Sequence, residues 1–147
     1  MEQWRANELG FNAWLDRRRK DLGIVSVGQI ESWIHLENGE YHFFELKTQE
    51  PFEPPPFLGH GLPRWQVEKY LTMQAACGVI WNLVVFDAKS FVGYRQRLSV
   101  LEDGPRHDTF GHQPRRIYSL GSFAIWTQDW RNVVKLSEQR PKISEGG

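Results

Sequence analysis

The chain has 147 residues, 40% of them hydrophobic and 14% aromatic, enough for one domain with a buried core and too few for two large ones. Eighteen basic residues balance eighteen acidic ones, which excludes an extended cationic coat holding nucleic acid by charge alone but leaves room for a local basic patch. The single cysteine, Cys77, excludes an internal disulfide and a cysteine-based zinc site.

Residues 2–22 place Trp4, Leu9, Phe11, Trp14 and Leu15 at near-helical spacing without proline, and Gly23 follows where a C-terminal stop belongs; this predicts the first helix. The run Arg17, Arg18, Arg19 and Lys20 reads as a solvated face or as a phosphate-contacting patch. Residues 25–36 and 40–47 flank Asn38-Gly39, the strongest short-range hairpin signal, and predict two antiparallel strands. Residues 48–64 carry five prolines and two glycines and read as a long exposed loop in which His60 is solvated. A helical pattern over 65–77, stopped by Gly78, precedes a buried strand over 79–87, with Cys77 expected in the core. Further on, 92–101 and 115–126 predict strands with a loop at 102–114 between them. Residues 127–139 predict a short helix, and 137–147 a flexible tail. The expectation is one domain over 1–136, with its core at about 8–87 and an extension at 88–136. The longest apolar run, 79–86, is interrupted by Asn82 and falls short of the roughly 20 residues a bilayer requires. With no signal-peptide pattern at the N-terminus, the expected location is the cytoplasm and no membrane partner is expected.

Chemistry concentrates at the end of the second hairpin strand, where HFFELKTQ puts Glu45 and Lys47 two apart. Period-2 alternation sets both on one face, with Leu46 on the other. A carboxylate beside a lysine, with a second acid on the neighbouring strand, suits metal-assisted phosphodiester hydrolysis. Carboxylates hold Mg²⁺ through hard oxygen ligands, and the ammonium orients the attacking water or offsets charge on the phosphorane. Glu31, 14 residues before Glu45, is the natural second ligand. Hairpin register decides whether the two meet. A two-residue turn at Asn38-Gly39 puts Glu31 opposite Leu46, whereas a three-residue turn with a G1 bulge at Gly39 puts it opposite Glu45. The chain contains no H-E-x-x-H, G-x-S-x-G, Walker A or G-x-G-x-x-G pattern, which removes the zinc-hydrolase, serine-hydrolase, NTPase and dinucleotide readings.

At these residues the sequence resembles the PD-(D/E)xK nuclease superfamily, among them Holliday junction resolvase-like and RecB-like small nucleases. Their shared core is αβββαβ, with an acid on one hairpin strand and E-x-K on the next. The E-x-K here is Glu45-Leu46-Lys47, and the helix after it carries Gln66 and Tyr70 four apart on one face. The resemblance covers about residues 8–87. It implies an α/β restriction-endonuclease-like fold, a mixed central sheet flanked by helices, with extra C-terminal strands. It implies an Mg²⁺- or Mn²⁺-dependent DNA nuclease of phage or bacterial replication, recombination or repair, acting on double-stranded or branched DNA, with a homodimer possible. It further implies metal ligation by Glu31, Glu45, the Leu46 carbonyl and Glu8, the last matching an acid that archaeal-type Holliday junction resolvases place beside the metals. Lys47 and Gln66 join Glu31 and Glu45 in catalysis, and Arg64, Lys69, Tyr70, Arg17 and Arg18 contact DNA. The chain departs from the family at Glu31, where aspartate is usual; the extra methylene moves the carboxylate by roughly 1.5 Å. The competing reading is a nuclease fold without catalysis, kept as a nucleic-acid- or protein-binding module.

Overall fold

The structure, a computed structural model, describes residues 3–28 and 33–138. The predicted first helix is broken at Arg18 into α1 (Gln3–Arg17) and one further turn, α2 (Arg19–Leu22), which Gly23 closes in the left-handed conformation. The segment read as one strand over 25–36 forms two, β1 (Ile24–Gly28) and β2 (Trp33–Leu36), antiparallel with Gly28 opposite Trp33. Gly28, with no side chain to pack, ends β1. β2 then pairs with β3 (Tyr41–Gln49), Ile34 opposite His42. The turn is the three-residue one: the Gly39 N–H donates to the Leu36 carbonyl at 3.0 Å, the Leu36 N–H donates to the Glu40 carbonyl at 2.9 Å, and Gly39 has φ +91°. This is the register on which a two-acid site depends. Glu31 itself lies outside the described residues.

The proline-rich segment is less irregular than its composition predicts. Its last part is β4 (Gly59–Pro63), paired antiparallel with β8 (Arg115–Ser119), to which β7 (Arg106–Asp108) adds a third strand. The alternate glycines make this pairing possible, because a Cβ at Gly59 or Gly61 would stand 2.1 Å from the carbonyl oxygen of Tyr118 or Arg116. α3 (Arg64–Cys77) ends at Gly78 as expected, but Cys77 is exposed rather than in the core. β5 (Ile80–Asp87) and β6 (Gly93–Arg97) follow. The strand expected over 92–101 stops at Arg97 and continues as α4 (Leu98–Asp103), whose Leu98 and Leu101 are buried. The strand expected over 115–126 is split by a 3-10 turn into β8 and β9 (Ala124–Thr127), which lie in different sheets, and α5 (Trp130–Glu138) closes the described chain. Residues 139–147, most of the expected tail, lie outside the described residues.

The main sheet runs β1-β2-β3-β5-β6-β9, with β3 and β5 parallel and every other neighbour antiparallel. β5 organises the core by strict alternation. Trp81, Leu83 and Val85 point into one cluster with Val67 and Tyr70 of α3, Leu98 and Leu101 of α4, and Leu62 and Tyr118 of the small sheet. Val84 and Phe86 point the other way, against Phe11 and Leu15 of α1 and Trp130, Val133 and Val134 of α5. The result is a mixed α/β domain of three layers. The 88–136 segment is no appendage to it: β6 and β9 extend the main sheet, β8 anchors β4, and α5 packs on α1. Among the described residues, no helix is long and apolar enough to cross a membrane.

Candidate functional site

One face of β3 presents Phe43, Glu45, Lys47 and Gln49 toward the layer of α3 and β4. Lys47 Nζ lies 3.3 Å from Glu45 Oε1, and both side chains keep a minority of their surface in solvent. The Tyr70 hydroxyl donates to the other oxygen, Oε2, at 2.7 Å. Tyr70 is in turn fixed by stacking on Trp81, ring centroids 3.8 Å apart and planes 11° from parallel, and is almost wholly buried. The residue expected to touch DNA thus faces Glu45. The Glu45 carboxylate is gripped on both oxygens, which restricts its rotamer before any ligand arrives.

Three further groups complete the surroundings. Gln66 sits one turn before Tyr70 on α3, and its Oε1 is buried without a hydrogen-bond partner. An orphaned buried acceptor is uncommon in a native protein and calls for an explanation. Glu8 approaches from α1, which is tied to β3 where the Asn7 amide donates to Thr48 Oγ1 at 2.6 Å. Burial raises the Glu8 carboxyl above its ordinary range, the Glu45 carboxylate raises it further, and Arg5 opposes both. Two acids therefore feel each other's charge, an arrangement that a cation between them would relieve. Leu46 turns its side chain toward the α1 layer, which leaves its backbone carbonyl between Glu45 and Lys47 along the strand.

The donors Glu45, Glu8 and Gln66 are all hard oxygens, which fits a Mg²⁺ or Mn²⁺ ion better than a soft metal. Among the described residues, no three of the His, Cys, Asp and Glu side chains already form a metal-holding group; Glu31 is outside that set. Of the expected DNA contacts, Arg64 starts α3, with its guanidinium 3.7 Å from both Glu68 and Asp108, and Lys69 is exposed on the same helix. Arg17 and Arg18 are not brought to Glu45. Arg17 ends α1 about 14 Å along the helix axis from Glu8, and with Arg18, which follows it, lines a separate cleft with Trp14, Trp126 and Val133, the Arg18 guanidinium standing 4.2 Å over Trp14.

Sequence reasoning missed a second polar constellation on the same strand face. Gln49 donates from Nε2 to the Gly61 carbonyl at 3.2 Å, and its Oε1 accepts the Gly61 N–H and stands 3.2 Å from His60 Nδ1. His60 Nε2 lies 2.8 Å from Asp87 Oδ2, while Asp87 Oδ1 accepts the Lys89 and Ser90 N–H groups. His60 is 0% and Asp87 2% exposed. Burial alone would raise the Asp87 carboxyl, but the Ser90 N–H, His60 and the Lys89 N–H hold it below its ordinary range. Burial pulls the His60 imidazole below its ordinary range against the opposing pull of Asp87. Far from being a solvated loop residue, His60 clamps β4 to the ends of β3 and β5. The signals that could have found it are the Gly-x-Gly around it, Gln49 continuing the Glu45-Lys47 spacing, and Asp87 ending a buried strand.

Comparison of the chain with known proteins finds no family model that matches it and no curated protein with significant similarity to it.

Proposed function

We propose that the protein is a divalent-metal-dependent nuclease hydrolysing DNA phosphodiester bonds at Glu45 and Lys47. The observation that carries this reading is the Glu45–Lys47 pair at 3.3 Å, with Tyr70 bonded to the second carboxylate oxygen. The order of the main-sheet elements supports it: helices α1 and α2, the antiparallel strands β1, β2 and β3 with E-x-K on β3, and then, after β4 of the small sheet, α3 and a strand parallel to β3.

Glu45, Glu8 and the Leu46 carbonyl, with Glu31 from the adjoining segment, would hold Mg²⁺ or Mn²⁺. The ion supplies Lewis acidity and a water acidic enough to attack near neutral pH. The chain's own groups do the rest. Tyr70 keeps Glu45 in one orientation by donating to Oε2. Lys47 presents an ammonium beside the carboxylate, where it can accept a nonbridging phosphate oxygen as a partner and offset the charge that grows on it. Gln66, one turn before Tyr70 on α3, carries a buried amide oxygen without a partner that would be the group to orient the attacking water. Water adds across one P–O ester bond, leaving a phosphate monoester on one fragment and a hydroxyl on the other. The same reading places the protein in the cytoplasm of a bacterium, or among phage proteins acting there, on double-stranded or branched DNA, with two copies cutting two strands.

The test incubates purified protein with plasmid, single-stranded and branched DNA in Mg²⁺, Mn²⁺ or EDTA. The reading expects metal-dependent cleavage that disappears in Lys47→Ala. DNA binding without cleavage in any metal would overturn it in favour of a non-catalytic binding module.

A further inference from the structure

Two large aromatic side chains stand well out in solvent: Trp65 is 62% and Phe110 83% exposed. A tryptophan that open is unusual, since its indole normally buries most of its area. Trp65 forms one wall of a cleft of about 390 Å³ whose other sides are Pro63, His112, Gln113, Pro114 and Arg115. The volume is within the range of small-ligand sites. The cleft is held in shape from below, because the Arg64 N–H donates to the Pro114 carbonyl at 3.0 Å and fixes the start of α3 against the β7–β8 hairpin.

The chemistry of the lining is specific. It contains a flat indole, two proline rings, an amide, a guanidinium and an imidazole, with no carboxylate and no branched aliphatic side chain. Arg115 has no ion-pair partner among the described residues, its guanidinium standing 6.0 Å from the Phe52 ring, and Lys69 one turn along α3 has none either. The nearby acids are already engaged, Asp108 by Arg116 at 2.8 Å and Glu68 by Arg64 at 3.7 Å. An apolar peptide would want a pocket of aliphatic side chains, which is absent. A planar, hydrogen-bonding group that carries its own negative charge satisfies every wall.

We propose that this cleft binds an unpaired nucleobase, stacked on Trp65, with its phosphate on Arg115. That the bound strand is also the substrate rests on the nuclease reading; the binding itself does not. Trp65 stands five residues before Tyr70 on α3, so the cleft and the Glu45 site share one helix. The substrate class that follows is DNA presenting single-stranded bases, such as a flap, a gap or an open branch, in preference to a continuous duplex whose bases are already stacked.

The experiment measures fluorescence anisotropy of a labelled 12-nucleotide single strand and of a 12-base-pair hairpin duplex, in EDTA, with the Lys47→Ala protein as host so that nothing is cut. The expected result is tighter binding of the single strand. Trp65→Ala should weaken it by about tenfold, the loss of one stacked base, and Trp65→Phe, which keeps a ring, by much less. Arg115→Ala should weaken both ligands and flatten the salt dependence. Because Trp65 is exposed, its variants should melt with the host protein, and this is checked first. Equal binding of the single strand by host and Trp65→Ala overturns the proposal, as does a preference for duplex. The two readings fail separately. A protein that cuts DNA but ignores Trp65 keeps the nuclease and loses the cleft; one that never cuts but binds single strands through Trp65 keeps the cleft and loses the nuclease.

Discussion

Glu45 and Gln49 stand four residues apart on the same face of β3, and their surroundings are opposites. Around Gln49 the polar atoms are packed on one another: both amide atoms and both Asp87 oxygens have partners, each His60 nitrogen has an oxygen within 3.2 Å, and water reaches none of the His60 ring. Around Glu45 the network is open. Glu45 and Lys47 keep part of their surface in solvent, the Glu8 carboxyl is pushed above its ordinary range, and the Gln66 oxygen has no partner. A completed buried network spends its groups on holding the chain together, whereas an incomplete one leaves valences for a ligand. The same strand thus carries a clamp at its end and a site two repeats of the pleat earlier.

The largest effect should come from breaking the clamp. His60→Ala leaves the Asp87 carboxylate buried and without its ring partner, which costs about 3–5 kcal/mol, read as a lower denaturant midpoint at unchanged slope. A loss below about 1 kcal/mol would mean that the network is not what holds β4 in place.

Acid should loosen the clamp. His60 titrates below its unfolded value of 6.5 and Asp87 below its value of 3.8, so both contribute stability at neutral pH. The His60 contribution is lost as pH falls below 6.5 toward its folded value, and the Asp87 contribution at still lower pH. Buried His42, also pulled down by burial, acts in the same direction. Melting temperature should therefore fall on acidification from pH 7 to 5, with a shallower slope in His60→Gln. Identical slopes would remove His60 from the account.

Changes on the open side should be felt in activity more than in stability. Tyr70→Phe removes the donor to Glu45 Oε2 and should slow cleavage by about tenfold, at a stability cost near 1 kcal/mol. Equal cleavage rates would make Tyr70 a core residue only. The smallest effect is expected from Glu8→Gln. Because the Glu8 carboxyl is raised, its ionisation disfavours the fold above pH 4.5, so neutralising it should slightly raise the melting temperature in EDTA at pH 7. The gain should shrink when Mg²⁺ is added; a gain independent of metal would detach Glu8 from the site.

Much of this contrast could be read from local pattern. The alternation along β5, the Gly78 stop of α3, the Asn38-Gly39 turn and the Glu45-x-Lys47 spacing are all set by neighbours in sequence, so they were visible there. β4 was not, because five prolines dominated the composition of its segment while its real partner, β8, lies more than 50 residues away. α4 was missed because its six residues are too few for the i, i+3 spacing of Leu98 and Leu101 to stand out from the strand before them, and packing against β5 fixes it. The division of 25–36 into β1 and β2 depends on a pairing that no single-strand periodicity reports. The Gln49–His60–Asp87 clamp joins three separate segments, and the Trp65 cleft needs both α3 and the loop before β8, so neither could be assembled from one stretch of sequence.

The most direct test of the central claim, that Glu45 is the metal-holding carboxylate of a nuclease, is Glu45→Gln compared with wild type for DNA cleavage in Mg²⁺ and DNA binding in EDTA. The account predicts that cleavage falls by at least about a hundredfold while binding is kept or tightened, since one negative charge facing phosphate has been removed. Cleavage at the wild-type rate by a folded Glu45→Gln protein would contradict it.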